Sequence, residues 1–160
     1  MEQHTAISAP GRQDLSHGAL RVHVEETVRR LNRCGIGQGD RIAIVLPNGP
    51  EMATAFIALS CGATTAPLNP GYQKAEFDFY LDDLKAKALL VEAGSDSAAI
   101  ESARERGVHV LYLAADPSVA GRFSLEMPDE IADAVEGGGP QFAQADDIAL
   151  VLHTSGTTSR

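Results

Sequence analysis

Short apolar runs of strand length alternate with helix-patterned segments along most of this chain, and no other feature restricts its fold as strongly. RIAIVL at 41–46, KALLV at 87–91 and VHVLYL at 108–113 are such runs; ATTAPL at 63–68 is a weaker one, and IALVL at 148–152 is a fifth. Between them lie helical patterns with recognisable ends. Asp14 or Ser16 can cap a helix that carries Leu20, Val24, Val28 and Leu31 on one face, and Gly35 can end it in a left-handed conformation. Pro50 suits the first helical position, where its missing N–H costs nothing, ahead of Met52, Phe56 and Leu59 at helical spacing and a stop at Gly62. Phe77, Tyr80, Leu81 and Leu84 form a third stripe, and SDSAAIESARERG at 95–107 reads as a capped helix ending at Gly107.

Strand and helix alternating at this pitch imply βαβ units, hence an α/β fold with a mostly parallel, doubly wound sheet. In an open sheet of that kind, ligands bind beyond the carboxyl ends of the strands. Residues 1–14 read as a polar lead-in, and residues 15–160 as one α/β unit. The rhythm dissolves over 114–146, which holds three prolines and a GGG at 137–139; a short helix near 129–135 is expected there and loop elsewhere.

Composition removes several functions. The net charge of −9 argues against nucleic acid, which demands clustered Lys and Arg, and against anionic membrane surfaces. It does not argue against a nucleotide, because backbone N–H groups can hold phosphate unaided. Cys34 and Cys61 have neither metal-ligand spacing nor the density of a disulfide framework. Residues 1–15 lack the apolar segment of a signal peptide and no stretch is long enough to span a bilayer, so a cytoplasmic protein is expected.

Most motif-like strings have structural readings. GIGQGD at 35–40 runs from a helix into a strand, the reverse of a dinucleotide fingerprint, and its third glycine is one position early. NPGY at 69–72 is a turn. The five histidines are scattered, and the pairs Asp82–Asp83 and Asp146–Asp147 point apart on regular structure, as solvated surface charge does. No G-x-S-x-G elbow surrounds Ser155.

The string TSGTTSR after the last apolar run is different. Thr154, Ser155, Thr157 and Thr158 place four hydroxyls around Gly156, and Ser159 follows. Each hydroxyl can donate to a phosphate oxygen, and a glycine free to take positive φ lets successive N–H groups converge on an anion. Composition leaves two readings open, this nest or a plain Ser/Thr turn. The spacing is not that of a Walker loop.

The whole string, preceded by IALVLH, resembles the signature loop T-S-G-T-T-G/S-x-P-K-G of the adenylate-forming AMP-binding enzymes, the superfamily of acyl-CoA synthetases, luciferases and peptide-synthetase adenylation domains. The block GIGQGDRIAIVLPNGPEMATAFIALSCGATTAPLNPGYQKAEFDFYLDD is similar to that family's opening αβ region. LNPGYQKAEFDFYLDDLKAKALLV with HTSGTTSR looks most like the oxalate–CoA ligases. The resemblance implies the N-terminal subdomain of the acyl-CoA synthetase fold, ending within the phosphate loop. It implies a two-step reaction of a carboxylic acid with ATP, Mg2+ and coenzyme A, through an acyl-adenylate. It places Thr154, Ser155, Gly156, Thr157, Thr158 and Ser159 around the ATP phosphates.

It also implies that Pro-Lys, the adenine-binding segments and the catalytic lysine would follow, so no catalytic residue is expected within these residues. Only Arg160 brings positive charge to the loop, and the chain alone is expected not to adenylate. The rest of the same enzyme is the implied partner, and self-association through an uncovered face is expected without it. A fatty or aryl acid in place of a small acid such as oxalate, or a self-contained flavodoxin-like module without catalysis, are the competing readings.

Overall fold

The computed structural model describes residues 2–132, 134–135 and 139–153. Within them, β1 (Thr5–Ile7) and β2 (Leu15–Ser16) pair antiparallel as a small ribbon ahead of α1 (His17–Arg33). Then follow β3 (Arg41–Val45), α2 (Pro50–Ser60), β4 (Thr64–Pro67), α3 (Lys74–Leu84), β5 (Ala88–Glu92), α4 (Ala98–Glu105), β6 (His109–Ala115) and β7 (Phe123–Glu126). The main sheet has the order β4-β3-β5-β6-β7. Its first four strands are mutually parallel, with Ile42 opposite both Thr65 and Ala88, and β7 closes it antiparallel to β6.

The alternation within each strand decides which helices cover which face. Ile42 and Ile44 of β3, Leu90 of β5 and Leu111 and Leu113 of β6 turn to one side, where they meet Val28 and Leu31 of α1 and Leu59 of α2. Ala43 and Val45, Leu89 and Val91, and Val110 turn to the other, against Phe77, Leu81 and Leu84 of α3 and Ala103 of α4. Burial on both faces is why these runs are apolar throughout. Two helices on each side of a mostly parallel sheet make the fold doubly wound, as the sequence rhythm implies.

Helix ends follow their local chemistry. Of the two candidate caps, Ser16 caps α1, its hydroxyl accepting from the Ala19 N–H at 3.2 Å, and Gly35 follows at φ +70°. At α3, the Glu76 carboxylate accepts from the Gln73 N–H at 2.9 Å, and in the turn before it Asn69 Oδ1 accepts from the Gly71 N–H at 2.9 Å.

The polar lead-in contains a strand, β1, that its sequence did not announce. Three expectations are corrected. The stretch 114–146 is not irregular throughout: β6 runs on to Ala115, and β7 lies within it, Phe123 and Leu125 both packing on the core. Near 129–135 there is a turn instead of a helix among the described residues, with the Ile131 and Ala132 N–H groups sharing the Pro128 carbonyl at 3.1 and 3.0 Å. Finally, 148–152 forms no full strand; it meets β4 through a single parallel bridge, Thr65 with Leu150.

Candidate functional site

A parallel sheet gathers its loops at the carboxyl edge, where the segments 46–49, 68–73, 93–97 and 116–122 leave their strands. From β3 the chain steps to β4 on one side, whereas from β5 it steps to β6 on the other. The loops therefore diverge between β3 and β5, the place where an open α/β sheet forms its crevice. A cavity of about 140 Å³ lies there, lined by Leu46, Pro47, Gly49, Met52, Glu92 and Leu113. Its rim is braced from the lead-in. The Arg12 guanidinium pairs with Glu51 and donates to the carbonyls of Asp116 and Val119 at 3.1 and 2.8 Å. Burial opposes ionisation of Glu51, but the Arg12 guanidinium and the Gly121 N–H outweigh it and hold the carboxyl below its usual range.

The segment carrying the hydroxyl-rich loop leaves from elsewhere. Residues 149–151 lie beyond β4: the Thr65 N–H donates to the Ala149 carbonyl and the Val151 N–H to the Thr65 carbonyl, both at 2.9 Å. The hydroxyls of Thr64 and Thr65 add bonds to the Ile148 and Ala149 carbonyls at 2.6 and 2.8 Å. The segment runs parallel to β4, so it too points to the carboxyl edge. With strands about 4.8 Å apart, it stands roughly 12 Å from the β3–β5 crevice. The six residues assigned to phosphate binding, Thr154, Ser155, Gly156, Thr157, Thr158 and Ser159, lie outside the described residues.

The last described residue, His153, shows how this edge is held. Its Nε2 lies 3.0 Å from Oδ2 of Asp83, and its ring rests on Tyr80 with centroids 4.6 Å apart. Tyr80 stacks in turn on Tyr72 at 5.0 Å, and Tyr72 meets the edge of Phe77 at 5.9 Å. Nδ1 of His153 is buried without a hydrogen-bond partner among the described residues. The support beneath is stiff, because α3 is tied to α4 by ion pairs. Lys74 reaches Glu105 at 2.6 Å, and Arg106 reaches Asp78 at 2.7 Å and Asp82 at 2.9 Å. The Ser102 hydroxyl, then Lys74 and Arg106, hold the Asp78 carboxyl below its usual range.

Asp82 and Asp83 are solvated surface charge, as the sequence implies, their side chains 65% and 59% exposed. They do point apart, yet each has a partner, Arg106 for one and His153 for the other. Nor is Asp147 idle, since its carboxylate accepts from Gln38 and from the Gln144 N–H, each at 2.6 Å. Sequence reasoning passed over His153, Asp83, Tyr80, Thr64 and Thr65 as parts of this edge. The signal available was two adjacent threonines in a short strand, whose hydroxyls suit carbonyls of a neighbouring segment. Among the described residues no cluster of three His, Cys, Asp or Glu side chains could hold a metal, and no helix is long and apolar enough to cross a membrane.

This doubly wound sheet has counterparts among proteins of known structure and function. The family model for AMP-binding enzymes matches residues 1–160, and the chain belongs to that family. An oxalate–CoA ligase of Arabidopsis thaliana is 36% identical over 158 residues, covering 97% of this chain and 30% of that protein. An oxalate–CoA ligase of Saccharomyces cerevisiae is 38% identical over 143 residues, covering 75% and 26%. Among solved structures, ATP-bound MatB from Rhodopseudomonas palustris matches with a TM-score of 0.74 at 28% identity, over 99% of this chain and 31% of that one. The chain thus spans less than a third of the length of these relatives.

Proposed function

We propose that this chain is the N-terminal, phosphate-gripping part of an ATP-dependent acid–CoA ligase acting on a small acid such as oxalate. A carboxylate attacks the α-phosphate of ATP, releasing pyrophosphate and forming an acyl-adenylate; the thiol of coenzyme A then displaces AMP to give a thioester. The hydroxyls and N–H groups of 154–159 neutralise the β- and γ-phosphates as pyrophosphate leaves. Mg2+ enters on the triphosphate, and the rest of the polypeptide supplies the acid pocket, the coenzyme A site and the catalytic lysine.

The observation that carries this reading is the match of the AMP-binding model to the chain from end to end. It is supported by the described segment that precedes the hydroxyl run in sequence, 149–151, which runs parallel to β4 toward the carboxyl edge. That match ranks the reading above a self-contained flavodoxin-like module, and the identity to two oxalate–CoA ligases ranks oxalate above a fatty or aryl acid. Two free cysteines, Cys34 buried and Cys61 half-buried, suit a reducing compartment and a cytoplasmic enzyme.

Ile148, Leu150 and Leu152, alternate residues of the edge segment, are 61%, 38% and 62% exposed. This apolar stripe, on a segment paired along one side among the described residues, fits coverage by further polypeptide such as its longer relatives carry. The 160-residue chain by itself self-associates through it, and sedimentation at rising concentration checks this, with a Leu152→Lys chain as the weaker associator.

The function is tested on the full-length protein with oxalate, a medium-chain fatty acid and an aryl acid, following AMP release and thioester by mass spectrometry. Oxalyl-CoA is the expected product. A thioester from the fatty or aryl acid alone would transfer the reading to that acid, and no AMP from any acid would overturn it. The 160-residue chain alone is expected to give no ATP–pyrophosphate exchange.

A further inference from the structure

We propose that Ile148, Leu150 and Leu152 seat an amphipathic helix of the polypeptide that follows residue 160, packed beside α2 and carrying the chain to a further parallel strand outside the edge segment. This rests on the reading of the chain as the N-terminal part of a longer ligase, since it spans less than a third of the relatives named above. Among the described residues the edge segment is covered on one face only. Leu150 bridges Thr65, and Thr65 stands opposite Ile42, so the stripe turns to the side that α1 and α2 cover. Val151, between Leu150 and Leu152, turns to the other side and packs against the core that α3 and α4 cover. The first face shows water three apolar side chains in a row, while α2 covers the neighbouring β4 and carries Ile57, 38% exposed.

What covers that face follows from how the chain already winds. The step from β3 to β4 runs toward this edge, and its helix, α2, lies on the face of the stripe. The steps from β4 to β5 and from β5 to β6 run the opposite way, and their helices, α3 and α4, lie on the opposite face. Direction and face change together, as a single hand of crossover requires, and parallel strands of one sheet are joined with one hand almost without exception. The edge segment runs parallel to β4, which occupies its inner side. A further parallel strand on this edge therefore lies outside it, and reaching that place repeats the direction of the step from β3 to β4. The crossover helix then falls on the face of α2, over Ile148, Leu150 and Leu152. A strand covered on both faces is apolar throughout, as IALVL is, and a helix with its own apolar stripe at three- and four-residue spacing supplies the second cover.

The test uses the full-length protein with p-benzoylphenylalanine in place of Leu152 or Ile57 on the α2 side, or of Phe79, an exposed residue of α3, on the other. Ordinary and isotope-labelled copies are mixed before irradiation, so that mass spectrometry separates crosslinks within a chain from those between chains. From the probes at Leu152 and Ile57, crosslinks within the chain are expected to one stretch inside the first stretch of about 30 residues beyond 160, the span of a βαβ unit, at sites three or four apart. Packed helices lie about 8–10 Å apart, whereas Phe79 is across the sheet, so its yield to that stretch is lower by about tenfold or more. Ile57 belongs to no part of the stripe, and its probe decides the matter if the chain with Leu152 replaced fails to fold. Equal yields from the two sides overturn the proposal. So do crosslinks that join copies instead, or none from the α2 side to that stretch. AMP release with oxalate, measured on the unmodified protein, bears on the ligase reading alone. Crosslinks on the α2 side without AMP remove that reading and leave the helix, and AMP with crosslinks elsewhere does the reverse.

Discussion

Leu90 and Leu150 sit in runs that look alike, KALLV and IALVL, and the two runs have opposite fates. Leu90 lies in β5, with β3 and β6 on either side and helices over both faces, and none of it reaches solvent. Leu150 lies beyond β4 with a partner along one edge among the described residues, and it is 38% exposed between the still more exposed Ile148 and Leu152. An apolar run records that a segment is to be covered; the neighbours that are present decide whether it is. Among the described residues the inner strands have neighbours on both sides, and the outer segment has one on a single side.

The sharpest way to break this comparison is to make the same change in both places. Leu90→Ala removes side-chain carbons from a packed core and destabilises the chain by about 3 kcal/mol in urea titration. Leu150→Ala costs under about 1 kcal/mol, because its water-facing part has no packing to lose. Equal costs would mean that the edge segment is as integral to the fold as β5.

A second contrast lies at the hairpin joining β6 to β7. Gly121 holds φ +75°, and a Cβ there would stand 2.7 Å from Thr54 Cγ2 and 3.2 Å from the Pro50 carbonyl oxygen. The close approach is enforced by the Thr54 hydroxyl, which donates to the Gly121 carbonyl at 2.5 Å. Gly121→Ala therefore combines backbone strain with a clash at the start of α2, at a cost of about 2 kcal/mol. If the loss proves to be a few tenths, the hairpin is an appendage like the edge segment; at the expected value it belongs with the core.

These two regions also show what could be read in advance. Helix ends and inner strands were legible because each is fixed by local chemistry: Ser16 as a cap, Pro50 at a first turn, Ile42 to Val45 facing two cores. The sequence around β7 offers four residues, Phe123 to Glu126, between Gly121 and Pro128. Its only signal is Phe123 and Leu125 two apart, and two turn-forming residues mask it. β1 is shorter still. The edge segment erred in the other direction, its apolar run promising a strand that one neighbour could not complete. At the candidate site the hydroxyl run was legible as chemistry, but His153 and Asp83 lie 70 positions apart and only the packing of α3 brings them together.

Thr65 offers a finer test, since its backbone belongs to β4 and its hydroxyl to the edge. Thr65→Val keeps the shape and deletes the hydroxyl bond to the Ala149 carbonyl, which retains the Thr65 N–H. The expected loss is about 0.5–1 kcal/mol. It should be local, with faster hydrogen exchange at the Val151 amide and little change at the Leu90 amide. Acceleration at both would show that the edge segment and the inner strands open together as one unit.

The smallest effect expected is a pH dependence where β7 meets α1. His23 is buried against Phe123, ring centroids 4.3 Å apart, and its Nε2 has no hydrogen-bond partner among the described residues. Burial lowers its pKa below the ordinary value near 6.5; Arg122 adds to this and Glu26 opposes it. Between the lowered value and about 6.5 the unfolded chain binds a proton that the folded chain refuses, so stability rises with pH across that window. The contribution is complete above the unfolded value and is lost as pH falls through the folded one. His23→Leu keeps an apolar side chain against Phe123 and has no proton to accept, so its stability should fall less between pH 6.5 and 5 than that of the unmodified chain. Hydrogen exchange locates the effect: amides joining β6 to β7 should open more readily as pH falls through the window, beyond the intrinsic change in exchange rate, and those between β3 and β5 should follow only the global loss. Parallel pH curves for the two chains would show that charging His23 costs the folded state nothing, and that β7 yields at its contact with α1 no more readily than the inner strands do.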